Sequence, residues 1–183
     1  LGQSYKNIEY IIIDGESTDG TQEIVERYLE CVSYFVSERD NGIYDAMNKG
    51  IGRATGHIVG IINSDDWYAE GVIEDVVNCF EQNEVDLVYG KKAEVYQDGE
   101  IRVVPRRELD SIWYQMAIPH PSVFVKRSIY EKFGMFDMKY KLSADYDFLL
   151  NMYQKQIKFG YVDKVIAYFC IGGASTTRES EMA

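Results

Sequence analysis

Apolar runs long enough to cross a bilayer are missing from this chain of 183 residues. Runs such as residues 10–13 and 58–62 are strand-sized, whereas a membrane helix needs roughly 18 apolar residues. Basic residues are also scarce: 19 Lys and Arg face 30 Asp and Glu, for a formal net charge of −11. A duplex-binding surface needs clustered Lys and Arg to displace counterions, so nucleic acid is not an expected partner. Cysteine is limited to Cys31, Cys79 and Cys170. That odd, widely spaced set in apolar surroundings argues for buried free thiols in a reducing, cytoplasmic compartment. With two histidines, His57 and His120, no zinc constellation can be assembled. A Gly-rich dinucleotide fingerprint, a phosphate loop and a serine-nucleophile elbow are absent too. Residues 14–19 have the acidity of a calcium loop, but glycine falls at Gly15 and Gly20 and no glutamate closes it. What remains, 46% hydrophobic and 27% charged residues with only 3 prolines, is the composition of one ordinary folded domain.

Hydrophobic patterning supplies the elements. Residues 7–13 form a continuous apolar run closed by Asp14, as in a strand buried on both faces of a parallel sheet. Ile24, Val25, Tyr28 and Leu29 then share a helical face behind a capping box of Asp19 and Gln22. Residues 34–36 read as a short strand, and Ile43, Ala46, Met47, Gly50, Ile51 and Ala54 as a second amphipathic helix ended by Gly56. A buried strand over 57–62 runs into Asn63, Ser64, Asp65 and Asp66, followed by a helical stripe at Val72, Ile73, Val76, Val77 and Phe80. Residues 86–93 suggest another strand, and 97–100 a hairpin turn joining 94–96 to 101–104. Beyond these, 109–117 reads as helical, 122–125 as extended and 128–133 as a short helix closed by Gly134. A last helix starts near Ala144, with Phe148, Leu149, Met152 and Tyr153 inward. Alternating strands and helices followed by a hairpin indicate an α/β domain with a mixed, mostly parallel sheet flanked by helices. Ligands on such sheets bind beyond the carboxyl ends of strands.

Carboxylates stand at those ends: Asp14, Asp40, and the pair Asp65 and Asp66. Adjacent acids at the end of a buried strand repel each other and lose hydration, a cost most easily offset by a hard cation such as Mg²⁺ or Mn²⁺. Magnesium prefers one or two protein carboxylates together with substrate phosphate oxygens, which points to a diphosphate ligand. The competing reading is that one of the two acids caps the following helix, which leaves the second unexplained.

The ordered stretches YKNIEYIIIDGESTDGT (5–21), RDNGIYDAMNKG (39–50), NSDD (63–66) and SADYDFLL (143–150) resemble the inverting, nucleotide-sugar-dependent glycosyltransferases of family 2, which have the GT-A fold. The likeness covers nearly the whole chain. It implies that Asp14 contacts the nucleoside base or ribose and that Asp40 lies near the base. Asp65 is placed against the ribose or donor sugar, Asp66 is the principal metal ligand, and Asp145 is the general base. It further implies a nucleotide-sugar donor and a glycan or lipid-linked acceptor, with an enzyme working at the inner face of a membrane. Two positions depart from the family pattern: Asn63 stands where Asp is usual, and Ala144 where Glu usually precedes the base. Against family members, the given sequence, residues 1–183, reads as a single domain lacking a first strand and helix.

Other residues have two readings each. Asp145 near a helix start suits an N-cap as well as catalysis. His120 is either an acceptor-side contact or a packed loop residue, Trp67 and Tyr68 either a sugar platform or core, and Lys49 and Arg39 either phosphate partners or surface charges. A sugar-phosphate nucleotidyltransferase and a noncatalytic nucleotide- or glycan-binding module are the rival functions. The former would carry a basic Gly-rich loop near its beginning; the latter would not require Asp145.

Overall fold

The computed structural model describes residues 2–172. Along the chain run β1 (Ile11–Asp14), α1 (Thr21–Glu26), β2 (Tyr34–Ser37), α2 (Ile43–Arg53), β3 (Ile58–Gly60), β4 (Trp67–Tyr68) and α3 (Val72–Gln82). Then come β5 (Leu87–Val95), β6 (Ile101–Val103), β7 (Phe124–Lys126), α4 (Arg127–Phe133), α5 (Ala144–Gln154) and β8 (Phe159–Cys170). These elements form two compact units, each drawn from separated stretches of chain: 6–59 with 126–148, and 2–5 with 60–125 and 149–172.

In the first unit β1 and β2 pair in parallel, with Asp14 opposite Ser37. Helix α2 lies against β1, where Gly50 brings its backbone close to Ile13. The inward side of α2 is Tyr44, Met47 and Ile51, not Ile43, which is exposed. An aromatic cluster completes this core: Tyr130 stacks on Phe148 at 5.0 Å, and Phe136 meets Tyr44, Tyr130 and Phe148. Helix α1 differs from expectation. It lasts six residues and breaks into a 3₁₀ turn at Leu29–Cys31, so the helical period is lost. Val25 is buried, while Ile24, Tyr28 and Leu29 are exposed. Nor does the capping box form. Gly20 is the N-cap, Asp19 accepts from the backbone and hydroxyl of Thr21, and Gln22 donates to Ser17 O.

The second unit is built on β5 and β8, which pair in parallel from Leu87↔Phe159 to Val95↔Cys170. Strands β6 and β7 flank β5 antiparallel, and β4 flanks β8 antiparallel with Trp67 opposite Tyr168. Mixed pairing was expected, but β8, the longest strand at 12 residues, was not. Its charged Asp163 and Lys164 interrupt an otherwise β-branched and aromatic run. The expected helix over 109–117 is a 3₁₀ turn, Leu109–Trp113, followed by irregular chain. Val76, Leu87, Val88, Val125, Ile112, Ile118, Leu149, Met152 and Ile166 are fully buried. One buried hydroxyl, Ser122, donates to Gly90 O and Pro119 O at 2.9 and 2.8 Å. Of the three free cysteines, Cys79 and Cys170 are half-buried, but Cys31 is exposed because the 3₁₀ turn carries it outward.

Two glycines separate packing from propensity. A Cβ at Gly90 would meet Ile166 Cδ1 and the backbone oxygen of Val162, both at 2.7 Å. Gly52, in the last turn of α2, has nothing within 4 Å. We expect Gly90→Ala to lower stability by about 1–3 kcal/mol and Gly52→Ala to raise it by about 0.5–1 kcal/mol. Chemical denaturation of the two variants checks the pair; equal effects would contradict the close approach of β5 and β8.

Candidate functional site

In the first unit the parallel register of β1 and β2 carries Asp14 to the end of its strand beside Ser37. Asp14 is buried, and its Oδ2 accepts from Ser37 Oγ at 2.6 Å and from Ser17 N at 3.0 Å. Burial alone would push this carboxyl up. The hydrogen bonds from Ser17, Ser37 and Glu16 outweigh it and hold the group below the usual range, so it stays ionised. The turn it anchors includes Glu16 with φ 69°, a conformation a non-glycine residue adopts at some cost. Asp40 reaches the same turn. Its carboxylate lies against Gly15 so closely that a Cβ there would collide with it, and its Oδ1 accepts from Gly42 N at 2.9 Å. Asp14 and Asp40 are thus brought together around Gly15.

Asp145 lies in the first turn of α5. Its Oδ1 accepts from the hydroxyl of Tyr44 at 2.8 Å. Tyr44 is buried against Phe136, and burial followed by the charge of Asp145 pushes its phenol well above the ordinary value. The phenol therefore remains a donor throughout the working pH range. Tyr44 escaped the sequence reading because it is one position off the stripe that begins at Ile43; its place inside the RDNGIYDAMNKG stretch was the signal available.

In the second unit Asp65 and Asp66 occupy the turn after β3, which closes with Asp66 N donating to Asn63 O at 3.1 Å. Neither acid caps α3: that helix begins at Val72, its N-cap is Gly71, and strand β4 intervenes. The capping alternative is therefore removed. Asp65 is exposed, with no hydrogen bond or ion pair among the described residues. Asp66 is half-buried, and its Oδ1 accepts from Cys170 N at 3.0 Å. Its Oδ2 is buried with no hydrogen-bond partner. Burial pushes this carboxyl up, the charge of Asp65 adds to the rise, and Cys170 N–H, Asn63 and Lys92 oppose it. Among the described residues no three His, Cys, Asp or Glu side chains converge as a metal cage. The donor set fits a cation that shares its coordination with phosphate and water, because it offers one buried, unpaired carboxylate oxygen beside a second, exposed carboxylate.

The residues with two readings divide. Trp67 stacks on Tyr168 at 5.3 Å yet keeps 45% of its surface exposed, whereas Tyr68 packs against Phe124. Lys49 is a surface charge paired to Glu38 and Asp45. His120 opens a half-buried 3₁₀ turn. No helix of the described residues is long and apolar enough to cross a membrane.

Known proteins resemble this chain in sequence or in fold. A glycosyltransferase of PGL/p-HBAD biosynthesis from Mycobacterium bovis is 29% identical over 182 residues, covering 96% of this chain and 70% of its own length. An uncharacterized glycosyltransferase of Mycobacterium tuberculosis, MT1564, is 30% identical over 161 residues, covering 81% and 59%. Among solved structures, Staphylococcus aureus TarS 1–349 with UDP superposes with a TM-score of 0.77 at 21% identity, covering 93% of this chain and 54% of that one. The mannosyltransferase PcManGT of Pyrobaculum calidifontis, crystallised with GDP-Man and Mn²⁺, does so with a TM-score of 0.73 at 20% identity, covering 97% and 52%. The chain spans about half the length of these solved chains. The fold is the GT-A fold expected from the motifs. The sequence profile described as Glycosyl transferase family 2 matches residues 1–159, and the chain belongs to that family.

Proposed function

We propose that the chain forms the donor-binding and catalytic part of a metal-dependent inverting glycosyltransferase. It moves a sugar from a nucleotide-diphosphate donor to a hydroxyl of a glycan or lipid-linked saccharide in polysaccharide biosynthesis, working at the cytoplasmic face of a membrane. The buried, unpartnered Oδ2 of Asp66 carries this reading, since an uncompensated carboxylate oxygen out of water is costly unless a ligand satisfies it. The nucleotide-sugars bound by TarS and PcManGT, with Mn²⁺ in the latter, support the donor class.

In this scheme Asp66 is the principal ligand of Mn²⁺ or Mg²⁺, and Asp65 supports it or meets the ribose or donor sugar. When bound, the metal would stabilise the charge that develops on the leaving diphosphate. Asp14 and Asp40, fixed around Gly15, receive the nucleoside base and ribose. Asp145 takes the proton of the acceptor hydroxyl as that oxygen attacks the anomeric carbon from the face opposite the nucleotide. The bond to the diphosphate breaks, and configuration at the anomeric carbon inverts. Tyr44 occupies Asp145 Oδ1, orienting the carboxylate and leaving the other oxygen to accept the proton.

Two outcomes are expected. In a thermal-shift titration, Mn²⁺ increases the stabilisation that UDP- and GDP-sugars give the chain, and Asp66→Asn removes that increase. Because it also removes a buried charge, Asp66→Asn raises the melting temperature of the metal-free chain; metal-indifferent nucleotide binding would count against the site. In an active full-length form, Asp145→Asn lowers kcat by about 10²–10⁴-fold and Tyr44→Phe by about tenfold, through loss of one charge-assisted hydrogen bond, with donor KM little changed. Normal transfer by Asp145→Asn would overturn the assignment of Asp145 as the general base.

A further inference from the structure

The second unit holds a concavity of about 170 Å³ that is lined by Tyr89, Lys91, Lys92, Arg106, Arg107 and Tyr161 among others. Four cations on one small wall are unexpected in a chain with a net charge of −11, whose overall field repels anions. Successive residues of a strand point to opposite faces, so Lys91 and Lys92 would not ordinarily share a wall. The ladder between β5 and β8 slips between Gly90 and Lys91 and again between Lys91 and Lys92, and such irregularities re-aim side chains.

The cations differ in their partners. Lys91 pairs with Asp163 at 2.6 Å and Lys92 with Glu94 at 3.1 Å, so both are largely neutralised. Neither Arg106 nor Arg107 has a carboxylate partner among the described residues. Arg107 donates one guanidinium N–H to Met116 O at 3.0 Å, which fixes its position and leaves other donors unused. Arg106 sits over the Tyr161 ring, 4.0 Å from guanidinium carbon to ring centroid. Tyr161 is itself braced edge-on by Tyr89 at 5.1 Å. Arg106 also donates to the Tyr89 hydroxyl and feels the charge of Asp163; held on the aromatic face, it keeps its remaining N–H groups for an anion with several oxygens and loses little side-chain freedom on binding.

From these contacts we propose that this concavity binds a phosphate group through Arg106 and Arg107. The inference uses none of the acids assigned above and stands whether or not they hold a metal. Two sources share this chemistry: a nucleoside diphosphate, and an acceptor that carries phosphate.

The test is calorimetric titration of the chain, without divalent metal, with inorganic pyrophosphate, UDP, glycerophosphoglycerol and acetate. Arg106→Gln, Arg107→Gln and the double variant are compared after circular dichroism has shown native folding. Pyrophosphate is expected to bind, to weaken as salt rises, and to lose about tenfold or more in affinity with each glutamine. With Asp66→Asn the loss caused by each glutamine should persist, which separates this site from the metal reading. Tighter binding of UDP than of the phosphodiester assigns the site to the donor, and the reverse assigns it to the acceptor. No binding of pyrophosphate, equal binding of acetate, or affinities unmoved by the glutamines would overturn the proposal.

Discussion

One hydrogen bond sets the character of this molecule's acidic turn: the Cys170 N–H donates to Asp66 Oδ1, tying the end of the longest strand to the residues that follow β3. The Cys170 donor, assisted by the Asn63 side chain, is enough to fix the direction of a half-buried carboxylate but not to offset its lost hydration. The second oxygen is left with burial and no partner. That imbalance follows from the parallel pairing of β5 and β8, since β8 reaches Cys170 only because the ladder continues to Val95. Local stability is given up at Asp66, and the surrounding sheet, with its fully buried Val88, Leu87 and Ile166, holds the arrangement in place.

The acids of the other unit are treated differently. Asp14 is more deeply buried than Asp66, yet the Ser17 and Ser37 hydrogen bonds satisfy it and keep it ionised. Asp40 is steered by the absence of a side chain at Gly15. Asp145 is directed by a buried phenol whose own pKa is raised by burial and by that same carboxylate. Three carboxylates thus stand pre-oriented, each by a different device: backbone and hydroxyl donors, steric room, and a packed aromatic hydroxyl. Pre-orientation of this kind lowers the reorganisation a bound substrate would demand.

Much of this was legible in the residues. Periodicity located α2, α3 and α5, the hairpin between β5 and β6 followed from 97–100, and the ordered motifs led to the GT-A fold. Where periodicity misled, a short element was the reason. At α1 a six-residue helix gave way to a 3₁₀ turn, so Ile24, Tyr28 and Leu29 did not face inward. Strand β8 was missed because Asp163 and Lys164 break its apolar run, although Val165 to Cys170 is rich in β-branched and aromatic residues. The pairings of Asp66 with Cys170 and of Asp145 with Tyr44 were not legible from the chain. Cys170 lies 104 positions from Asp66, and Tyr44 lies 101 from Asp145, separations that only the tertiary fold brings into contact.

The most direct test of the metal assignment is paramagnetic broadening of backbone amide signals by Mn²⁺ in the presence of a nucleoside diphosphate. Broadening that is strongest at Asp65, Asp66 and Cys170, and that Mg²⁺ suppresses by competition, is the predicted result. Broadening centred elsewhere, or none at saturating nucleotide, would contradict the account.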